Sequence, residues 1–137
     1  TFTAVRGGGA FVDGKPICPS EKESFATSAM SVYARPPEMR ALLENGYTSR
    51  RIRKLGASAL ELCYVACGRL EAFLDLRGTL RITDAAAAIL ILEEAGGIVS
   101  LPTGGPCIFP DDVCAGRCIL GANKAIHGKI ASLMRLL

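Results

Sequence analysis

Asp84 is the residue with the clearest potential for chemistry, because it stands alone at the start of a long apolar segment. Eight apolar residues, Ala85 to Leu92, follow it without another charge. Such a run predicts a helix, and an Asp at or near its N-cap is held by backbone N–H groups and kept ionised by the helix dipole. A carboxylate presented in this way can bind a metal ion. The alternative is that Asp84 only caps the helix, because Asp is among the best N-cap residues.

The densest group of basic residues, Arg50, Arg51, Arg53 and Lys54, could bind an anion. Few aromatic residues lie near them in the sequence, so they make a poor platform for nucleic acid. An anionic small molecule is a better match. If residues 51–55 form a strand, Arg51 and Arg53 share one face, and only part of the positive charge meets a ligand. The alternative is a solvated strand edge protected by charge.

The six cysteines and the single histidine do not have the spacing of a zinc site. Cys63 and Cys67 lie in a largely apolar helical segment, where a free cysteine behaves as a small hydrophobic residue. The other three neighbouring cysteines are separated by intervals that do not match a zinc ribbon, and His127 lies well beyond them in the sequence. Those thiols are Cys107, Cys114 and Cys118. We therefore expect reduced thiols, as is usual in a cytosolic protein. We expect His127 to lie at the surface of a terminal helix.

The composition indicates one soluble domain. The chain has 137 residues, 50% of them hydrophobic, which is enough to bury a core without disulfides or structural metals. No apolar run reaches the roughly 18 residues that span a bilayer, and the first residues lack the pattern of a signal peptide. The formal net charge of +3 is mild. These features predict a cytoplasmic protein that binds neither nucleic acid nor membrane.

Alternating helix and strand signals predict a layered α/β domain. Strands are expected at 3–6, 9–12, 16–18, 25–33, 51–55, 71–75, 98–101 and 117–120. Helices are expected at 37–44, 58–67, from 83 or 84 to 95, and 124–137. Gly7-Gly8-Gly9 is not followed by Lys-Ser/Thr, so it predicts a hairpin turn rather than a phosphate-binding loop.

Four segments together resemble the C-terminal half of the inositol monophosphatase superfamily, whose members are magnesium-dependent, lithium-sensitive phosphatases. They are GASALELCYVACGRL at 56–70, the acid Asp75, Asp84 with small residues after it, and Glu94-Ala95-Gly96-Gly97. Near the chain ends, Arg6 to Phe11 resembles the family's hairpin and Gly121-Ala122-Asn123 its last strand. The resemblance implies that 1–137 is the C-terminal domain of a two-domain fold, a layered αβα domain with a mixed sheet.

The resemblance also implies roles for individual residues. Asp84 matches the family's C-terminal metal ligand, which helps to bind a second Mg²⁺ ion. Asp75 matches an acid at the end of the preceding strand that hydrogen-bonds substrate hydroxyls, and Ser58 matches a position that lines the substrate pocket. A bisphosphate would also need cations for its second phosphate. The available cations, for which ordinary surface charge is the alternative, are Arg53, Lys54, Arg77 and Arg81.

The sequence departs from the family pattern at the remaining metal ligands. The family supplies them from a Glu pair and an Asp-Pro-x-Asp-Gly-Thr segment, whereas this chain has no Asp-Pro dipeptide, and Glu93-Glu94 lies within a predicted helix. We therefore expect the N-terminal metal-binding half to be absent from this chain, and the chain alone to hydrolyse no phosphate ester. Thr83 and Ala88 replace a Trp and a Gly that are usual near the ligand, changes that still permit a metal site.

The spacing of the two acids bears on the substrate. Eight residues separate Asp75 from Asp84, more than in inositol-type members and more like archaeal members that also accept fructose 1,6-bisphosphate. The expected function is Mg²⁺-dependent hydrolysis of inositol monophosphate, fructose 1,6-bisphosphate or both, by a protein that is a homodimer when complete. Two alternatives stay open. One is a phosphatase for adenosine bisphosphate or NADP, and the other is a non-catalytic module that binds an anionic metabolite or a partner protein.

Overall fold

The computed structural model describes residues 1–47 and 51–137. Its helices are α1 (Pro36–Glu44), α2 (Ser58–Ala66), α3 (Ile82–Ala95) and α4 (Lys124–Leu136). Its strands are β1 (Phe2–Val5), β2 (Gly9–Val12), β3 (Lys15–Pro16), β4 (Ala29–Tyr33), β5 (Arg51–Arg53), β6 (Ala72–Leu80), β7 (Ile98–Ser100) and β8 (Arg117–Ala122). Among the described helices, none is long and apolar enough to cross a membrane.

A mixed sheet of five strands forms the centre of the domain, in the order β5-β4-β6-β8-β7. Strand β4 is parallel to β5 and β6, whereas β8 is antiparallel to both β6 and β7. Parallel neighbours need crossover connections, which α1 and α2 provide. Strands β1, β2 and β3 form a separate antiparallel sheet.

Two hydrophobic cores lie on the two faces of the large sheet. Side chains alternate along β6, so that Phe73 packs into one core and Leu74 into the other. The core around Phe73 includes residues of α2 and α3, and the core around Leu74 includes residues of α1 and α4. The fold is therefore a layered αβα domain with a mixed sheet, as the sequence predicted.

The glycine segment near the N-terminus forms the predicted hairpin. It joins β1 to β2, and Gly7 and Gly9 have positive φ angles of 78° and 84°. The carboxylate of Glu94, at the C-terminal end of α3, accepts hydrogen bonds from the amides of Gly7 at 3.0 Å and Gly9 at 3.1 Å. These two bonds fasten the hairpin to α3.

Two strands differ from their expected boundaries by more than two residues. Residues 25–27 were expected to start a strand but form a turn of 3-10 helix, in which the Ser24 side chain accepts a hydrogen bond from the Ala26 amide at 3.3 Å. Strand β6 was expected to end at Asp75 but continues to Leu80, because β8 pairs with it again where Leu80 lies opposite Arg117. Asp75 therefore lies within the strand.

The register of β6 against β8 shifts between Asp75 and Leu80, which is typical of a β-bulge. Gly78 lies in this irregular segment and has a positive φ of 72°. Gly116 precedes β8 and lies so close that a Cβ added to it would be 2.2 Å from the carbonyl oxygen of Gly78. A residue with a side chain cannot occupy this position unless the backbone of β6 moves.

Candidate functional site

A pocket of about 450 Å³ lies where the loop before α2, the end of β6 and the start of α3 meet. Its position follows from the parallel arrangement of β4 and β6, because ligands of α/β sheets bind beyond the carboxyl ends of parallel strands. The pocket brings together three of the residues predicted from the sequence, Ser58, Arg77 and Asp84. The complete lining consists of Gly56, Ala57, Ser58, Ala59, Arg77, Thr79, Leu80, Thr83 and Asp84.

Asp84 is the third residue of α3 rather than its N-cap, which is Arg81. The expectation that Asp84 lies at or near the N-cap is confirmed, because its carboxylate forms a capping box with Arg81. Its carboxylate accepts a hydrogen bond from the Arg81 guanidinium at 3.1 Å and from the Arg81 backbone amide at 3.4 Å. The hydrogen bond from the guanidinium is the main cause that lowers the pKa of Asp84. The lowered pKa favours the ionised carboxylate, and the 40% exposure of the side chain makes it accessible.

Asp75 does not reach the pocket, contrary to the expectation that it meets substrate hydroxyls. Its side chain is fully buried, and both carboxylate oxygens accept hydrogen bonds from the Arg77 guanidinium, at 3.0 and 2.7 Å. These hydrogen bonds raise the pKa of Arg77. The physical reason for the correction is the continuation of β6 beyond Asp75, which places Arg77 between this carboxylate and solvent. Asp75 orients the arginine that lines the pocket.

Ser58 is the first residue of α2 and lines the pocket together with residues of β6. Its predecessor Ala57 is the N-cap and has no side-chain oxygen that could bind the first amides of the helix. The first amides of an α-helix have no partner within the helix. The start of α2 therefore offers N–H donors to an anion, together with the Ser58 hydroxyl.

The four predicted cations are not placed alike. Arg77 lines the pocket, and Arg81 borders it through its ion pair with Asp84. Arg53 lies on the exposed face of the edge strand β5, where its guanidinium donates to the carbonyl of Ile52 at 3.1 Å. Lys54 lines a different depression, beside α1. Neither Arg53 nor Lys54 lines the pocket, but the ammonium of Lys54 lies 5.8 Å from the centre of the Tyr33 ring. Arg50 lies outside the described residues.

Two residues beside the pocket were missed in the sequence. Glu61 accepts a hydrogen bond from the Leu55 amide at 2.7 Å, and the Tyr33 hydroxyl accepts one from the Gly56 amide at 2.9 Å. The guanidinium of Arg77 lies 4.2 Å from the centre of the Tyr33 ring. Glu61 is the only charged residue of α2, in the apolar sequence ALELCYVA, and this isolated charge is the same signal that identified Asp84.

His127 is half-buried, so its predicted place at the surface is wrong. Its Nε2 atom lies 2.7 Å from the hydroxyl of Ser100, and burial is the main cause that lowers the pKa of the imidazole. All six cysteines are free thiols, as predicted. Within 1–47 and 51–137, no three residues of the metal-binding types lie close enough to hold an ion.

The chemistry of the pocket fits one part of a magnesium site. Asp84 provides an exposed, ionised oxygen ligand, which is the kind that Mg²⁺ prefers, and Mg²⁺ commonly binds through one or two carboxylates together with substrate phosphates. Asp75 is not presented as a second ligand, because it is fully buried, does not line the pocket and pairs with Arg77 through both oxygens. The described residues therefore supply one carboxylate for such an ion.

Comparison with known sequences identifies similar proteins along the whole chain. A family model described as the inositol monophosphatase family matches residues 1–136. A fructose-1,6-bisphosphatase/inositol-1-monophosphatase of Methanothermobacter thermautotrophicus is 37% identical over 137 residues, covering 99% of this chain and 49% of that protein. A bifunctional NADP phosphatase/NAD kinase of Methanococcus maripaludis is 33% identical, covering 97% of this chain and 24% of that protein.

Solved structures have the same fold. A Pyrococcus horikoshii protein, described as having similarities to inositol-1 monophosphatase, has a TM-score of 0.84 at 29% identity, covering 99% of this chain and 52% of that one. An IMPase of Thermotoga maritima has a TM-score of 0.80 at 28% identity, covering 98% and 51%. The chain thus spans about half the length of these structures and of its archaeal bisphosphatase relative.

Proposed function

Because this chain belongs to the inositol monophosphatase family, we propose that it forms the C-terminal part of a Mg²⁺-dependent phosphate monoester hydrolase. The substrates are inositol monophosphate, fructose 1,6-bisphosphate or both. The observation that carries this proposal is one pocket lined by the exposed carboxylate of Asp84, the guanidinium of Arg77 and the start of α2. An acid, a cation and helix amides together suit a phosphate ester bound with a metal ion.

Each group in the pocket has a role in this chemistry. The Arg77 guanidinium and the amides at the start of α2 bind phosphate oxygens and neutralise their charge. Asp84 is the residue that would hold Mg²⁺, which when bound supplies Lewis-acid chemistry at the phosphate. Asp75 keeps Arg77 charged and oriented through its two hydrogen bonds. Thr79 and Thr83 add hydroxyl groups to the same lining.

The remaining metal ligands are proposed to come from an N-terminal half with a Glu pair and an Asp-Pro-x-Asp-Gly-Thr segment. The relatives support this proposal, because this chain spans about half of their length. We further propose that the complete protein is a cytoplasmic homodimer.

We expect the isolated 137-residue chain to release no phosphate above the blank, because one carboxylate cannot hold the ions that this hydrolysis needs. The measurement is phosphate release from fructose 1,6-bisphosphate and inositol 1-phosphate at millimolar Mg²⁺, with circular dichroism to verify folding. Adding a separately expressed N-terminal half is the positive control. Turnover by the folded chain alone, free of host phosphatases, would show that this chain contains a sufficient site.

The preference between the two substrates is proposed to depend on Arg77 and Arg81. We expect their joint replacement by Ala, in the complete protein, to lower kcat/KM for fructose 1,6-bisphosphate about 10- to 100-fold more than for inositol 1-phosphate. The reason is that inositol 1-phosphate loses only the charge-assisted hydrogen bonds of Arg77, whereas the bisphosphate also loses those of Arg81 to its second phosphate. Steady-state kinetics on both substrates measure the difference.

The matched control for this experiment is Arg40→Ala with Arg69→Ala, which removes the same charge from exposed positions outside the pocket. It should leave the ratio of the two kcat/KM values unchanged. Equal losses on both substrates after replacement of Arg77 and Arg81 would remove the bisphosphate assignment while leaving the phosphatase assignment in place.

A second candidate function is a nucleotide-phosphate phosphatase, acting on NADP or adenosine bisphosphate. The observation that favours it is the 33% identity to a bifunctional NADP phosphatase/NAD kinase over 97% of this chain. A comparison of kcat/KM across the four substrates would distinguish the candidates. If none is hydrolysed by the complete protein, a non-catalytic module that binds an anionic metabolite or a partner protein becomes the better assignment.

A further inference from the structure

Glu61 is a buried carboxylate that none of the roles above uses. It lies on α2 with no exposed surface. Oε1 accepts hydrogen bonds from the Ser31 hydroxyl at 2.8 Å, the Leu55 amide at 2.7 Å and the Tyr33 hydroxyl at 3.0 Å. Burying a charge is costly unless hydrogen bonds compensate for it, so these donors indicate a site built around the carboxylate. This network fixes the first turns of α2 to neighbouring segments of the chain.

The network holds the loop that precedes α2 and leads into the pocket. Leu55 and Gly56 lead directly into Ala57, Ser58 and the pocket. The Leu55 amide is bound by Glu61, and the Gly56 amide by the hydroxyl of Tyr33. With these two amides fixed, the next donors along the chain are the first amides of α2, which have no intrahelical partners.

Tyr33 connects this loop to Arg77, which lines the pocket from β6. Its hydroxyl donates to Glu61 while it accepts from Gly56, and its ring lies 4.2 Å from the guanidinium of Arg77. The ring is also packed against Phe73, with 5.9 Å between the ring centres. Burial is the main cause that raises the pKa of Tyr33, with a contribution from Glu61, so the phenol keeps the proton that it donates.

We propose that Glu61 and Tyr33 are positioning residues that fix both phosphate-binding walls of the pocket. Glu61 sets the loop before α2 and the hydroxyl of Tyr33, and Tyr33 in turn sets the Gly56 amide and the plane of the Arg77 guanidinium. Neither residue lines the pocket, so both act through groups that do. This inference rests on the proposed phosphatase function and deepens it, since it identifies how the phosphate-binding groups are aligned.

The test uses Glu61→Gln and Tyr33→Phe in the complete protein. Gln preserves the shape of Glu61 but cannot accept from all of its donors, and Phe preserves the ring beside Arg77 but loses the bond to Gly56. We expect each change to raise KM about 10-fold while kcat changes less than about threefold, because misplaced walls weaken binding of the phosphate throughout the reaction. The dissociation constant of inorganic phosphate, measured by calorimetry, should rise by a similar factor.

A double-mutant cycle separates positioning from general loss of stability. Because the two side chains share a hydrogen bond and hold neighbouring amides of the same loop, their effects should not be fully additive, and the double variant should lose less than the product of the two single losses. The matched control is Glu71→Gln, which alters another buried Glu, one that accepts from the Ala29 amide at 2.6 Å and pairs with Lys22 at 3.5 Å. Glu71 precedes β6, at the opposite end of that strand from the pocket. Glu71→Gln should therefore lower the melting temperature without changing KM.

The outcomes distinguish this inference from the proposed function. If Glu61→Gln and Tyr33→Phe lower stability but leave KM and the phosphate dissociation constant unchanged, like Glu71→Gln, the positioning role is overturned. If Glu61→Gln fails to fold, Tyr33→Phe decides the question. If the unaltered protein hydrolyses none of the substrates, the proposed function fails, and the effect of both variants on the binding of inorganic phosphate alone decides the positioning role.

Discussion

Replacing Asp84 by Asn is expected to lower kcat for phosphate release by more than about 100-fold while leaving the melting temperature nearly unchanged. The carboxylate is exposed and ionised, and it is the one acid in the pocket lining. Asn has the same shape and can still accept from the Arg81 amide, but it lacks the charge that a hard cation requires. Losing a group that stabilises charge in the transition state typically costs about 10²- to 10³-fold.

Stability should change little, because the ion pair lost in this variant is at the surface. The Arg81 side chain is 52% exposed and that of Asp84 is 40% exposed, and surface pairs contribute little to folding. The measurement combines kinetics over a range of Mg²⁺ concentrations with thermal unfolding. Recovery of activity at high Mg²⁺ would identify weakened metal binding.

Asp111→Asn is the matched control, since it removes the same charge from an exposed loop position. It should behave like the unaltered protein in both measurements. Retention of most of the turnover by Asp84→Asn would show that Asp84 is not a metal ligand and only stabilises the start of α3.

Replacing Gly116 by Ala is expected to have the largest effect on stability, a loss of about 3 kcal/mol and a melting temperature lower by about 10 °C. The added Cβ would lie 2.2 Å from the Gly78 carbonyl oxygen and 2.6 Å from the Cα of Thr79. Both are backbone atoms, so no side chain can rotate to relieve the overlap. The bulge must move, and it carries Thr79 and Leu80 of the pocket lining, so kcat/KM should fall as well.

Gly128→Ala is the control for this variant. Gly128 is an exposed residue of α4, and a Cβ added there would meet no other atom within 4 Å. Ala is preferred over Gly in a helix by about 1 kcal/mol, so the melting temperature should rise or stay the same. If Gly116→Ala were as stable as Gly128→Ala, β6 and β8 would have to be freely displaceable at the bulge.

The fold could be predicted from the sequence because its elements are marked by local signals. Apolar runs, Gly stops and Pro starts located the four helices, and their alternation with strands indicated the layered sheet. The predictions for residues 25–27 and for the end of β6 were wrong for a related reason. Each depends on a hydrogen bond, from the Ala26 amide to Ser24 in one case and between β6 and β8 in the other.

The site was predicted in part. Asp84, Arg77 and Ser58 line one pocket, as the sequence suggested. The burial of Asp75 could not be predicted, because it depends on the ion pair with Arg77 on the same strand. The sequence shows two charges two residues apart, whereas their side chains form one unit with only the arginine exposed. Tyr33 was missed because a tyrosine at a strand end has no local signal, and its partners Glu61 and Gly56 lie more than 20 residues away.

The hydrogen bonds of Glu94 connect α3 to the N-terminal hairpin, so one helix contacts both the hairpin and the pocket. Its first turn carries Asp84 and its last turn holds the amides of Gly7 and Gly9, about 15 Å apart along the helix axis at 1.5 Å per residue. A helix of this length is stiff, so a tilt that shifts Asp84 also displaces the hairpin. A displacement of the N-terminal sheet would therefore also move Asp84, the carboxylate proposed to hold the metal ion.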